Sequence, residues 1–146
     1  MKRTKTWEQD FAAWITDVHL NPQPFAWGVT DCCLFVASGV QAITGVDLAA
    51  DMRGKYDSQA SAFALIQSLS GGSTVADMLA YVADGNALTE WPKPLFARRG
   101  DLVTIPNEEG ELVAGIVSDN GKDVLSMGTD GVTNLSIQKV TRAWKV

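Results

Sequence analysis

Two adjacent cysteines, Cys32 and Cys33, follow Asp31 directly and open a stretch with no charged residue that runs through Val46. A cysteine does chemistry as its thiolate, and a thiolate is stabilised most easily at a helix N-terminus, by the positive end of the dipole and the unpaired amides. Asp31 is of the type that accepts hydrogen bonds from first-turn amides, so it reads as an N-cap, with Gly45 as the stop past the other end. The segment between them is too apolar to be anything but a buried helix. Cys32 is therefore the candidate nucleophile, and its plainer reading is a small buried hydrophobe, since free cysteine is among the most buried residue types. Cys33, one step around the helix, reads as a packing residue. The charge of Asp31 would raise a neighbouring thiol pKa and so oppose the dipole.

A nucleophilic thiol is normally served by a base. His19 is the only histidine of the chain, which makes it the candidate base; in the last turn of a helix it reads more plainly as a solvated residue complementing the dipole. Two cysteines and one histidine fall short of a zinc site, and cysteines adjacent in sequence rarely bridge each other, so neither a metal nor another cofactor is implied. Phe25, Trp27 and Trp91 either line a groove or fill a junction between elements.

Composition narrows the partners. The chain has 146 residues, 46% hydrophobic and 20% charged, as expected of one globular domain. A net charge of −5 argues against a nucleic-acid surface, because phosphate contacts need clustered Lys and Arg. The one basic cluster, Lys2-Arg3-Lys5, reads as a solvated tail. No apolar run reaches the roughly 18 residues of a membrane span. Glu8, Asp10 and Asp17 interrupt the apolar positions of the N-terminal segment, so nothing there directs export and synthesis in the cytoplasm is expected.

The elements that must position the thiols follow from periodicity. Trp7, Phe11, Trp14, Ile15 and Val18 form one helical face, capped by Thr4 or Thr6 and ended by Asn21-Pro22-Gln23-Pro24. The buried helix runs from Asp31 to about Thr44. A third helix opens at Asp57 or Ser58, turns Ala62, Phe63, Ile66 and Leu69 inward and closes at Gly71-Gly72. A fourth, capped by Ser73 or Thr74, presents Val75, Met78, Leu79 and Val82 and fades at Asp84-Gly85. After Trp91-Pro92-Lys93-Pro94 the pattern changes to short β-rich runs: Leu102 to Ile105, Leu112 to Val117, Val124 to Met127, Val132 to Leu135 and an alternating end. Turns rich in Asn and Gly separate them, the mark of an antiparallel meander. Helices first (about 5–85) and strands second (about 100–146) predict a single α+β domain.

This combination resembles the NlpC/P60 cysteine peptidases, whose papain-like α+β fold packs N-terminal helices on a C-terminal antiparallel sheet. Their nucleophile sits in an Asp-Cys-Ser-type segment behind an aromatic-glycine loop; the matching residues are Trp27-Gly28 and Asp31-Cys32-Cys33, with Cys32 at the nucleophile position. Gly100-Asp101-Leu102-Val103 matches the Gly-Asp that often opens the first strand after the helices. The fuller spelling, Pro-Phe-Ala-Trp-Gly, Asp-Cys-Cys-Leu-Phe and Thr-Gly-Val-Asp, is similar to a branch encoded with the tail-tip proteins of tailed phages, prophages and gene-transfer particles. The active family carries a histidine in a His-Val-Gly-Ile-type segment. Matching Ala114-Gly115-Ile116 to it places Val113 where that histidine belongs, and valine can neither accept a proton nor protonate a leaving amine. Ser126 is the candidate for the family's third, polar position.

The resemblance implies a virion component of a phage tail tip or baseplate, assembled in the host cytoplasm among other tail-tip and hub proteins, with a cleft lined by Trp27, Asp31 and Val113 and an impaired site at Cys32. One alternative is an active thiol peptidase that cleaves peptidoglycan stem peptides during infection, its base drawn from His19 or a neighbouring subunit. Another is a cytoplasmic binding domain unrelated to phage.

Overall fold

The computed structural model describes residues 1–146 as an α+β fold of four helices and one six-stranded antiparallel sheet. The helices come first: α1 (Trp7–Leu20), α2 (Cys32–Thr44), α3 (Gln59–Ser70) and α4 (Val75–Gly85). The strands are β1 (Thr89–Glu90), β2 (Leu102–Pro106), β3 (Leu112–Val117), β4 (Asp123–Gly128), β5 (Gly131–Ser136) and β6 (Arg142–Lys145).

Three of the four helices begin as their sequences dictate. Asp31 accepts from the Leu34 amide (3.0 Å), and Ser58 and Thr74 form capping boxes with Ser61 and Asp77. α1 differs. Thr6 stands at its N-cap, but its hydroxyl donates to Asp10 (2.7 Å) instead of accepting from an amide. The missing cap forfeits about 1 kcal/mol, whereas burying Phe11 contributes about 1.5–3 kcal/mol. Packing therefore decides that helix: Phe11 is buried and Trp7, Trp14, Ile15 and Val18 pack beside it. In α3 the expected inner face is only partly realised, with Ala62 and Ile66 buried and Phe63 exposed.

β2 to β5 form the expected meander, but the sheet order is β1-β6-β2-β3-β4-β5. After β5 the chain crosses back, and β6 pairs with β2 (Val103 opposite Ala143) on one side and with β1 on the other. The sheet thus begins at Thr89, earlier than the Trp91-Pro92 boundary suggested. Two exposed residues with no alternation carry no strand signal.

Both faces of the sheet are covered, by separate cores. Leu102, Ala114, Ile116, Leu125 and Trp144 face the helices and meet Phe11, Phe35, Val36, Val40 and Ile43. Val103, Ile105, Val117, Val124 and Ala143 face away and are covered by Ala97 and Val140. A third cluster, including Leu34, Met52, Ile66 and Met78, fixes α3 and α4 against α2. In α2, Gly39 permits a close approach. A side chain there would press on Ile116 and Trp14 at about 3 Å, so glycine lets the sheet and α1 both close onto the helix. No helix is long and apolar enough to cross a membrane.

Arg3 does not belong to a solvated tail. It donates from Nη2 to Asp101 (3.0 Å) and from Nε to the Val146 carbonyl (2.9 Å). Asp101, 1% exposed, also accepts from the Trp91 indole (2.8 Å) and from the amides of Arg98 (2.9 Å) and Val146 (3.1 Å).

Candidate functional site

The first turn of α2 opens onto a cavity of about 360 Å³. It is lined by Asp31, Cys32 and Cys33, by Trp27 and Tyr56, and by Leu112 and Val113 of β3. Ala62, Phe63 and Ile66 of α3, with Val75 and Met78 of α4, complete mostly apolar walls. The polar exceptions lie at Gln59, Ser73, Thr74 and Glu111.

The first turn is held by Asp31, which is 2% exposed. Its Oδ1 accepts from the Leu34 amide (3.0 Å) and its Oδ2 from the Gly28 amide (2.9 Å) and the Tyr56 hydroxyl (2.5 Å). Three donors satisfy a carboxylate that would otherwise be costly to bury. Gly28 is required twice over. Its φ is +78°, and any side chain would collide with the Tyr56 carbonyl oxygen. The aromatic-glycine loop and Tyr56 thus lock Asp31, and Asp31 sets where the thiols begin. Burial, followed by the hydrogen bond to Asp31, pushes the Tyr56 hydroxyl far above its ordinary pKa, so it stays a donor.

Both thiols are free and half-buried. The Cys33 thiol, above all, supports a thiolate on Cys32, and the amides of Ala114 and Cys33 assist; burial and the charge of Asp31 oppose them, and the balance lowers the Cys32 pKa. Cys33 moves well upward, because it donates to Cys32, because it is buried and because Cys32 and Asp31 carry negative charge beside it. The two thiol pKa values therefore move in opposite directions, Cys32 down and Cys33 up.

No imidazole lines this cavity. His19 is exposed on the last turn of α1, where its ring Nδ1 hydrogen-bonds the Ile15 carbonyl (2.7 Å). Ser126 is buried in β4 and donates to the Ala114 carbonyl (2.6 Å), which anchors β3 from behind without reaching the cavity. Trp27, Asp31, Cys32 and Val113 do come together around one space. Val113, however, shares the alternation of Gly115 and Val117 and packs against the outer core, while Ala114 shares that of Ile116 and faces the helices. On β3 it is Ala114, not Val113, that belongs to the core shared with Cys32.

Residues 2–146 match a family model described as Domain of unknown function (DUF6950). The chain belongs to that family. No curated protein matches this DUF6950 chain. One feature of its site was not singled out from sequence, Tyr56, which lies 25 positions from Asp31 and bonds it only once the chain has folded.

Proposed function

We propose that this DUF6950 chain is a phage tail-tip or baseplate component, built on a papain-like domain of the NlpC/P60 type whose cleft does not hydrolyse peptide bonds. The observation that carries the impaired site is the Cys32 cavity itself: a sulfur poised for ionisation, with Leu112, Val113 and Ala114 on the neighbouring strand and no imidazole. Thiolate attack on an amide forms a tetrahedral intermediate from which the sulfur departs more readily than an unprotonated amine, so without a general acid the attack reverses. The virion location is supported by the resemblance of the Pro24 to Gly45 stretch to tail-tip proteins. The cleft then serves packing and docking among hub proteins.

Incubating the purified chain with peptidoglycan stem peptides tests the catalytic half: no cleavage above that of Cys32→Ser is expected, and Cys32-dependent products would overturn it. The location is tested by sedimentation of the chain with intact phage-like particles; its recovery only as free protein would exclude it. One observation favours the second reading, a working thiol hydrolase that opens the cell wall. That observation is the place of Cys32, on the first turn of α2 and in the lining of the cavity, where its pKa is lowered. An alkylation midpoint at or above that of free cysteine, without muropeptide products, rules it out.

A further inference from the structure

The Cys32 cavity combines features that a packing role does not use: two free thiols in its lining, walls that are mostly apolar, and a few exposed polar residues, among them Gln59 and Glu111. What enters it is decided by the leaving group. A peptide amide must expel an amine, which requires an acid. A thioester expels a thiolate, a group as able to depart as Cys32 itself, so the departure step needs no general acid.

From the thiols, the apolar walls and the lack of an imidazole we infer that Cys32 takes up an acyl group from a small-molecule thioester, and that the acyl chain lies in the 360 Å³ cavity. The inference rests on the reading that no acid serves the leaving group. Cys32 first loses its proton to solvent; its sulfur attacks the thioester carbonyl, a new carbon–sulfur bond forms, the original one breaks, and the carrier leaves as a thiolate that takes a proton back from solvent. The product is an S-acyl Cys32. Cys33, adjacent in the same helical turn and lining the same cavity, stays a neutral thiol throughout. The exposed Glu111 in the cavity lining, in a chain of net charge −5, disfavours polyanionic carriers and selects a neutral one.

The probe is octanoyl-N-acetylcysteamine, mixed with the whole folded chain and followed by intact-protein mass spectrometry and peptide mapping. One octanoyl group on Cys32 is expected in the wild type and in Cys33→Ser, and none in Cys32→Ser. Octanoyl transfer should exceed acetyl transfer by about tenfold or more, the discrimination that an apolar pocket gives for added methylenes. In urea that preference should vanish. No adduct, an adduct elsewhere, equal rates for the two acyl groups, or a preference that survives unfolding would each overturn the proposal. The matching octanoyl amide separates the two readings. Cys32-dependent cleavage of the amide sinks the impaired-site reading. An inert amide together with an inert thioester sinks only acyl exchange.

Discussion

Asp31 and Asp101 are the two aspartates this fold buries, and they solve the same problem in opposite ways. Asp101 is held by a cation, an indole and two amides, drawn from Arg3, Trp91, Arg98 and Val146. No cation bonds to Asp31; it relies on two amides at a loop and a helix start and on one phenol. The first arrangement spans the whole chain and has no thiol beside it to tune. The second reaches only from Gly28 to Tyr56, and its charge falls on two thiols. Burial of a carboxylate is thus a clamp in one place and an electrostatic setting in the other.

The largest effect should come from breaking the clamp. Asp101→Ala leaves Arg3 unpaired and strands several donors, and a loss of about 3–5 kcal/mol is expected in urea unfolding. A loss under about 1 kcal/mol would mean that Asp101 is no more than a surface pair. Asp31→Asn should cost less, about 1–3 kcal/mol, because one oxygen can still accept. It also removes a charge that raises the thiol pKa, so the pH midpoint of Cys32 alkylation should move down; an unmoved midpoint would refute the electrostatic role given to Asp31.

Tyr56→Phe deletes one hydrogen bond to a charged group, worth about 1.5 kcal/mol, and has a signature in pH. Because the folded state holds the Tyr56 proton more tightly than the unfolded one, its contribution is complete below about pH 10, the ordinary tyrosine value, and declines as pH rises beyond it. Alkaline unfolding curves should therefore steepen above that pH in the wild type and be flatter in Tyr56→Phe. The smallest structural change, Cys33→Ala, takes away the strongest support of the Cys32 thiolate. It should shift the alkylation midpoint up, opposite to Asp31→Asn, with little change in stability. Equal directions for the two variants would undo the division of labour between the thiols.

The helices were legible because their signals are local. Asp31, Ser58 and Thr74 cap where their types predict, and the apolar faces repeat with the helical period. The meander was legible from its turns. The return of β6 beside β2 was not, since strand order is set by contacts that no window of sequence contains. The same division holds at the site. Cys32, Asp31, Trp27 and Val113 could be named from their types and gather around one cavity. The orientation of Val113 away from the helices depends on strand parity, which the matched segment alone does not define. Arg3 looked like one charge among several at the chain start, and only the folded sheet brings Asp101 to it.

The crossing of β6 has a consequence in time. β1 and β2 are neighbours of β6 and not of each other, so during synthesis the gap between them stays open until β6 (Arg142–Lys145) has left the ribosome. The bonds from Arg3 to Asp101 and Val146 join positions 98 and 143 apart in sequence, and contacts of such separation form slowly. A nascent chain would carry four formed helices over a sheet that lacks the strand between β1 and β2, exposing the β2 edge and the apolar surface beside it. Completion of this fold is therefore a late event, and a block in the last strand should produce a sticky intermediate, with the cavity at Cys32 half-built.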